Sequence, residues 1–275
     1  MNPEMKEGPG VPVNNGRSED AYGQIQYRGL IAWTERLQRE APLLEQVLGT
    51  APVGTVLDLG CGTGEHSRFL RSLGCKVTGV DASEAQIRAA REVDPGDGDP
   101  TPPRYVHGDL ASIGALVPEG YGGAICLGNT LPHLSELEML KQFFAGLASR
   151  LLPGAPFLLQ LLNYDRILDR GDRTFPLTIR PGESAGEETI FLRLMTPQPD
   201  GSLIFNPATL RYRPGMEPPL ELVSAQNVHL QGWRRSELEG LSRATGFEVR
   251  EVFGNMTGDP WQPGSSDLVL WAVRA

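Results

Sequence analysis

An α/β fold is the architecture this sequence predicts: doubly wound, with a mostly parallel seven-stranded sheet and a small antiparallel β insertion after the fifth strand. Two observations carry that expectation. Between about residues 55 and 165, short apolar segments alternate with amphipathic ones of helical period. Such alternation implies right-handed crossovers and parallel strands covered on both faces. A β-rich block without helical periodicity follows, and then one helix and two strands restore the first rhythm.

The elements follow in order. Leu30, Trp33, Leu37, Ala41, Leu44 and Leu48 recur at spacings of three and four, a helical stripe that Pro42 is expected to split. TVLDL (55–59) reads as a strand, EHSRFLRSLG (65–74) as a helix, CKVTGV (75–80) as a strand, and SEAQIRAAREV (83–93) as a helix capped by Ser83. RYVHGD (104–109) and AICLGN (124–129) are the next strands. SELEMLKQFFAGLASRLL (135–152) is a long amphipathic helix, and PFLLQLLNYD (156–165) a nearly continuous apolar strand. Beyond it, TFPLTIRP, ETIFLRLMTP, SLIFNPATLRYRPG and LELVSAQNVHLQGW are β-rich pieces joined by turn signals such as Pro199-Asp200-Gly201. RRSELEGLSRATG (234–246) is then a helix, with FEVREVFGN and SDLVLWAVRA as the final strands.

This reading divides the chain into a disordered tail at 1–20, a helical N-terminal cap at 21–50, a ligand-binding α/β domain at 51–169 and 231–275, and an antiparallel insertion at 170–230 over the substrate side. The 275 residues carry a formal net charge of -9. That balance disfavours a protein built to grip a phosphate backbone, so a small-molecule partner is expected and nucleic acid is not. No run is long and apolar enough for a membrane span, and the first residues lack an apolar h-region. Three cysteines without a C-x-x-C pair fit a reducing cytoplasm better than a disulfide framework. A homo-oligomer is left open, and the scattered histidines suggest no metal site.

In an open parallel sheet, ligands bind beyond the carboxyl ends of the strands, near the point where strand order reverses. The first strand ends in Asp58-Leu59-Gly60-Cys61-Gly62-Thr63-Gly64. A dinucleotide site would want G-x-G-x-x-G; here the spacing is G-x-G-x-G behind a carboxylate. Asp58 would repel a diphosphate and suit a cationic amino-acid moiety, while Gly60 and Gly62 let the backbone approach and Cys61 serves as a small filler. Asp81, with Ala82 beside it, ends the second strand where a carboxylate accepts from ribose hydroxyls. Asp109 and Leu110 end the third, placed to read an adenine edge. An adenosine-bearing cation without a diphosphate fits these ends, and S-adenosylmethionine meets that description, giving S-adenosylhomocysteine as product.

The stretch VLDLGCGTGEHSRFLRSLGCKVTGVDAS closely resembles the first two motifs of class I S-adenosylmethionine-dependent methyltransferases. ICLGNTLPHL and LLNYDRIL are in turn similar to segments of the glycine/sarcosine N-methyltransferase group. The resemblance implies that Leu127 borders the cofactor, Asn129 contacts the substrate, Asn163-Tyr164-Asp165 lines the pocket, and Trp33 and Arg36 close over the cofactor. That group places an arginine directly before the Asn-Tyr-Asp triplet to hold a substrate carboxylate, and here the position is Leu162. Either a replacement cation stands in the insertion, where Arg180 is preferred over Arg193, Arg211 and Arg213, or the substrate has no carboxylate.

Methyl transfer from a sulfonium is an in-line displacement with an excellent leaving group, so positioning is the protein's main task. No catalytic base is assigned. Asn129, His133 and Tyr164 are the substrate-positioning candidates, with His133 read first as a structural residue. The expected activity is methyl transfer to a small molecule, most simply at an amine nitrogen. The alternative is a non-catalytic S-adenosylmethionine-binding sensor or scaffold; a nicotinamide oxidoreductase is disfavoured by the glycine spacing.

Overall fold

The computed structural model describes residues 31–93, 102–182 and 184–275. The tail expected at 1–20 and the beginning of the helical cap at 21 lie outside the described residues. Strands β1 (Thr55–Leu59), β2 (Lys76–Asp81), β3 (Arg104–His107), β4 (Gly123–Cys126), β5 (Pro156–Leu162), β11 (Phe247–Phe253) and β12 (Asp267–Arg274) form one sheet in the order β11-β12-β5-β4-β1-β2-β3. Only β12 runs against its neighbours. Strand order reverses between β1 and β4, which are adjacent and parallel.

Alternation along the strands explains the two cores. Leu57 and Leu59, Ala124 and Cys126, and Phe157, Leu159 and Leu161 face one way, while Val56, Ile125, Leu127 and Leu158 face the other. Both faces are apolar because helices cover both. On the first face lies α5 (Leu137–Arg150), whose Phe143 and Phe144 meet Phe157 and Phe247 in edge-on ring contacts. On the second lie α1 (Trp33–Leu48) and α2 (Glu65–Ser72), which bury Leu43, Leu44, Val47 and Leu70. Helix α3 (Glu84–Val93) starts where Ser83 Oγ accepts from Gln86 N at 3.3 Å, the expected cap.

Two expectations give way. Helix α1 continues through Pro42 instead of splitting. The carbonyl that proline leaves without a donor belongs to Gln38, on the exposed side of the helix, where the loss costs least. Strand β5 stops at Leu162, not Asp165, because Asn163 caps a further helix, α6 (Tyr164–Arg170), accepting from Arg166 N at 3.3 Å. A short helix, α4 (Ile113–Leu116), links β3 to β4, and α7 (Arg235–Ala244) precedes β11.

Between α6 and α7 the chain builds a second, antiparallel sheet from β6 (Thr178–Pro181), β7 (Glu188–Pro197), β8 (Ser202–Tyr212), β9 (Leu220–Ala225) and β10 (Val228–Gln231), in the order β10-β8-β7-β6 with β9 also on β8. The Pro199-Asp200-Gly201 turn closes the β7–β8 hairpin, with Gly201 at φ +84°. Gln226 and Asn227 divide the last β-rich piece, LELVSAQNVHLQGW, into β9 and β10.

Candidate active site

The carboxyl ends of β1, β2, β3, β4 and β5 open into one cavity of about 1520 Å³, closed on the far side by the antiparallel sheet. The loop after β1 turns back through Gly60, Gly62 and Gly64 at φ +76°, +54° and +84°. A β-carbon at Gly60 would strike the Thr130 side chain and one at Gly64 the Tyr105 ring, so these two are bare for internal packing. At Gly62 a β-carbon would meet nothing within 4 Å; its bare backbone faces the cavity. Gly62 N donates to Asp81 Oδ2 at 2.8 Å and Ser83 N to Asp81 Oδ1 at 2.9 Å. Each carboxylate oxygen thus spends one acceptor site on the backbone and keeps another for a ligand hydroxyl. Burial raises the Asp81 pKa, opposed by those two N–H groups.

Asp109 accepts from Ala111 N at 2.8 Å, which fixes the exit of β3 beside the cavity with Leu110 buried behind it. Above the loop, α1 brings in a linked cluster. Arg36 Nε donates to Glu40 Oε1 at 2.8 Å, and His66 Nε2 donates to Glu40 Oε2 at 2.8 Å. The Trp33 ring meets His66 edge-on at 5.5 Å and carries the Arg36 guanidinium over its face at 5.1 Å. Glu40 is 2 % exposed. Burial alone would raise its pKa, but the bond from His66 and the charge of Arg36 prevail and hold it below the usual range. Trp33 Nε1 is buried without a hydrogen-bond acceptor among the described residues, a donor ready for an anionic ligand group.

At the exit of β4, Gly128 and Asn129 are successive left-handed residues, φ +75° and +65°. Asparagine is among the few side chains that tolerate that region. Asn129 Oδ1 accepts from Leu162 N at 3.0 Å, and its Nδ2 donates to Tyr164 Oη at 3.0 Å. It therefore ties the exit of β4 to that of β5 while half-exposed in the cavity wall. Gln160, in the middle of apolar β5, accepts from Gly128 N and donates to Asp267 Oδ1, both at 2.7 Å. His133 is open to the cavity interior but enclosed by protein beyond it, and that enclosure lowers its pKa to about 4.

The cavity brings together Trp33, Arg36, the Gly60-Cys61-Gly62 loop, Asp81 with Ala82, Asp109 with Leu110, and Leu127, Asn129 and His133. Five expected residues stand outside its lining. Strand alternation turns Asp58 toward α2, where Ser67 Oγ donates to Oδ2 at 2.6 Å and burial raises the carboxyl pKa. Tyr164 is wholly buried in the core and Asn163 is occupied as a helix cap. Asp165 is likewise spent, accepting from Arg235 N at 2.9 Å. Arg180 lies outside the lining, with Nη1 on the carbonyl of Ile179 at 3.3 Å. Sequence reasoning missed Glu40 and Gln160 as wall residues. Their signals were legible: an acid seven positions from Trp33 on the helical stripe, and an amide inside PFLLQLL.

Residues 56–154 match a family described as "Methyltransferase domain". Those residues are thus similar to a methyltransferase domain. The chain is 33% identical over 143 residues to the glycine/sarcosine N-methyltransferase of Aphanothece halophytica, covering 52% of this chain and 53% of that protein. It is 34% identical over 125 residues to the glycine N-methyltransferase of Rattus norvegicus, covering 42% and 43%. The match thus spans about half the length of these curated relatives. In three dimensions the two sheets together resemble CalS10, an amino pentose methyltransferase from Micromonospora echinaspora solved with S-adenosylmethionine bound. The TM-score is 0.69 at 20% identity, over 90% of this chain and 94% of that one. The CcbJ methyltransferase from Streptomyces caelestis gives 0.69 at 22% identity, over 87% and 90%. At such identities these likenesses speak for the fold. Among the described residues, no helix is long and apolar enough to cross a membrane.

Proposed function

We propose that this protein transfers a methyl group from S-adenosylmethionine to an amine nitrogen of a small molecule. The observation that carries the proposal is a single cavity walled on one side by strand ends suited to an adenosine-bearing cation, and on the other by a separate sheet. Gly62, Asp81, Asp109 and Leu110 fit the nucleoside: open backbone, two carboxylate oxygens with spare acceptor sites, and an exposed acid over a buried leucine. Trp33 Nε1 offers a donor for the carboxylate of the charged end, on a ring held in place by Arg36 and His66. When bound, the cofactor supplies an electrophilic methyl group; the amine lone pair forms the new N–C bond and sulfur retains the electrons of the broken S–C bond.

The chain's own residues orient and exclude. His133 stays uncharged at neutral pH, so it can accept a hydrogen bond from an amine without adding positive charge beside a sulfonium. Asn129 fixes the wall on which that amine rests. The segment 170–230 is the cap of the substrate side, and nitrogen is preferred over oxygen or carbon because the curated relatives are named N-methyltransferases. The test is calorimetric titration with S-adenosylhomocysteine, followed by a screen of amines, phenols and carboxylates for its production. Binding with turnover of amines is expected. Binding of NAD in its place would overturn the cofactor, and turnover confined to phenols would overturn nitrogen as acceptor.

A further inference from the structure

Resting on that reading, we propose that Arg193 in the cap is the anchor for an anionic group of the substrate, a carboxylate carried on an apolar skeleton. Along β7 the side chains of Phe191, Arg193 and Met195 share one face, and all three line the cavity. Phe205 of β8, opposite Met195, extends the same surface. A strand face turned toward a core or a pocket is ordinarily apolar throughout, so a guanidinium at its centre calls for a partner.

Within the described residues that partner is not a carboxylate. The Arg193 guanidinium lies 5.4 Å from the Phe175 ring centroid and 5.9 Å from that of Phe191, and Nη2 donates to the carbonyl of Pro176 at 3.3 Å. Nε is buried and has no acceptor. The other cap arginines are disposed differently. Arg211 and Arg213 both contact Glu187 and Glu221, and Arg180 lies outside the lining. On the cofactor side, Arg36 is committed to Glu40.

A guanidinium flanked by phenyl rings, with Nε buried and one Nη2 proton on Pro176, keeps its outer Nη1–Nη2 end for ligands, and that end matches the two oxygens of a carboxylate. The rings exclude water, which strengthens such a pair and makes the unpaired state costly. Around the guanidinium the cavity wall is carbon, from Phe175, Phe191, Met195 and Phe205, while Thr178, Asn227 and His229 add polar atoms elsewhere on the cap side, so the part of the substrate beside Arg193 is apolar. An amine at one end, toward the strand exits, and an anion at the other, against the cap, is the substrate class this arrangement selects. Leu162, the apolar end of β5, needs no charge if the cap supplies it.

The experiment uses the whole chain saturated with S-adenosylhomocysteine. The probes are 4-aminobutyrate, 6-aminohexanoate and 4-(aminomethyl)benzoate, each beside its amide, read by ligand-observed NMR titration. At least one carboxylate should bind about tenfold or more tightly than its amide, as expected of a charge-assisted bidentate contact. Arg193→Gln should erase that preference and Arg193→Lys restore part of it. S-adenosylhomocysteine affinity and the melting temperature, measured on each variant, report that the fold is intact. A preference that survives in Arg193→Gln, or three carboxylates that bind no better than their amides, overturns the anchor. Failure of S-adenosylhomocysteine to bind the unaltered protein is a separate result and overturns the cofactor reading instead.

Discussion

Asp81 shows how one side chain serves the fold and a ligand together. Two backbone N–H groups converge on it, so removing the carboxylate loosens the glycine loop and also deletes acceptors in the cavity. Asp81→Ala should weaken S-adenosylhomocysteine binding more than about tenfold, since bonds to a charged acceptor contribute about 1.5–3 kcal/mol; calorimetry that finds near-normal affinity would remove it from the site. Asn129 has become more than a substrate-orienting amide, because its bonds to Leu162 and Tyr164 hold two strand exits together. Asn129→Gly keeps the left-handed backbone and loses only the amide. It should cost about 1–3 kcal/mol in chemical denaturation and reduce turnover more than cofactor affinity. His133 has a testable pH signature. Its folded pKa, about 4, lies below the ordinary 6.5. The unfolded chain therefore binds the proton first on acidification, and this residue's contribution to stability is full above about pH 6.5 and declines toward pH 4. NMR titration should find the ring neutral at pH 5.5; a midpoint near 6.5 would refute the enclosure.

At the scale of elements, α1 links sequence to site most directly. Its stripe of Leu43, Leu44 and Val47 secures it to the second core, and the same face carries Glu40 against His66 of α2. Glu40→Ala would leave the Arg36 and His66 groups facing each other without their shared anion, a loss of about 3–5 kcal/mol for a buried pair. Because its folded pKa lies below 4.5, this contribution is present above that pH and fades as acidity rises through the lower value. Thermal melts at pH 7 and pH 3 should therefore differ more for the unaltered chain than for the variant. Most elements were legible because their apolar periods were unmixed: β1 and β7 end at the residues their patterns indicate. Helix α6 was hidden, since Asn163-Tyr164-Asp165 follows the apolar run with no Gly or Pro to mark a boundary and only the cap geometry reveals the break. Site residues were legible where a strand end alone decides the position, as at Asp81 and Asp109. They were illegible where the face of the strand decides it: Asp58 and Arg180 sit at the expected chain positions and point elsewhere.

For the molecule as a whole, a ligand that bridges the strand ends stabilises everything attached to them. At a concentration of S-adenosylhomocysteine about 100 times its dissociation constant, linkage gives about 2.7 kcal/mol. In a chain of this size that corresponds to a rise of about 5–10 °C in melting temperature, measurable by scanning calorimetry, with NAD leaving the transition in place. The order of strands has one more consequence, for synthesis. Strand β5 borders β4 on one side and β12 on the other, and β12 comes more than a hundred residues later in the chain. While a ribosome is still making the cap, β5 is the newest edge of an unfinished sheet, and its seven residues, PFLLQLL, have no charge to ward off another strand. The nascent chain thus carries this uncharged edge through more than a hundred codons before β12 arrives to cover it. A product released early, at Gln231, should collect in the insoluble fraction even though its entire glycine loop and cap have been translated.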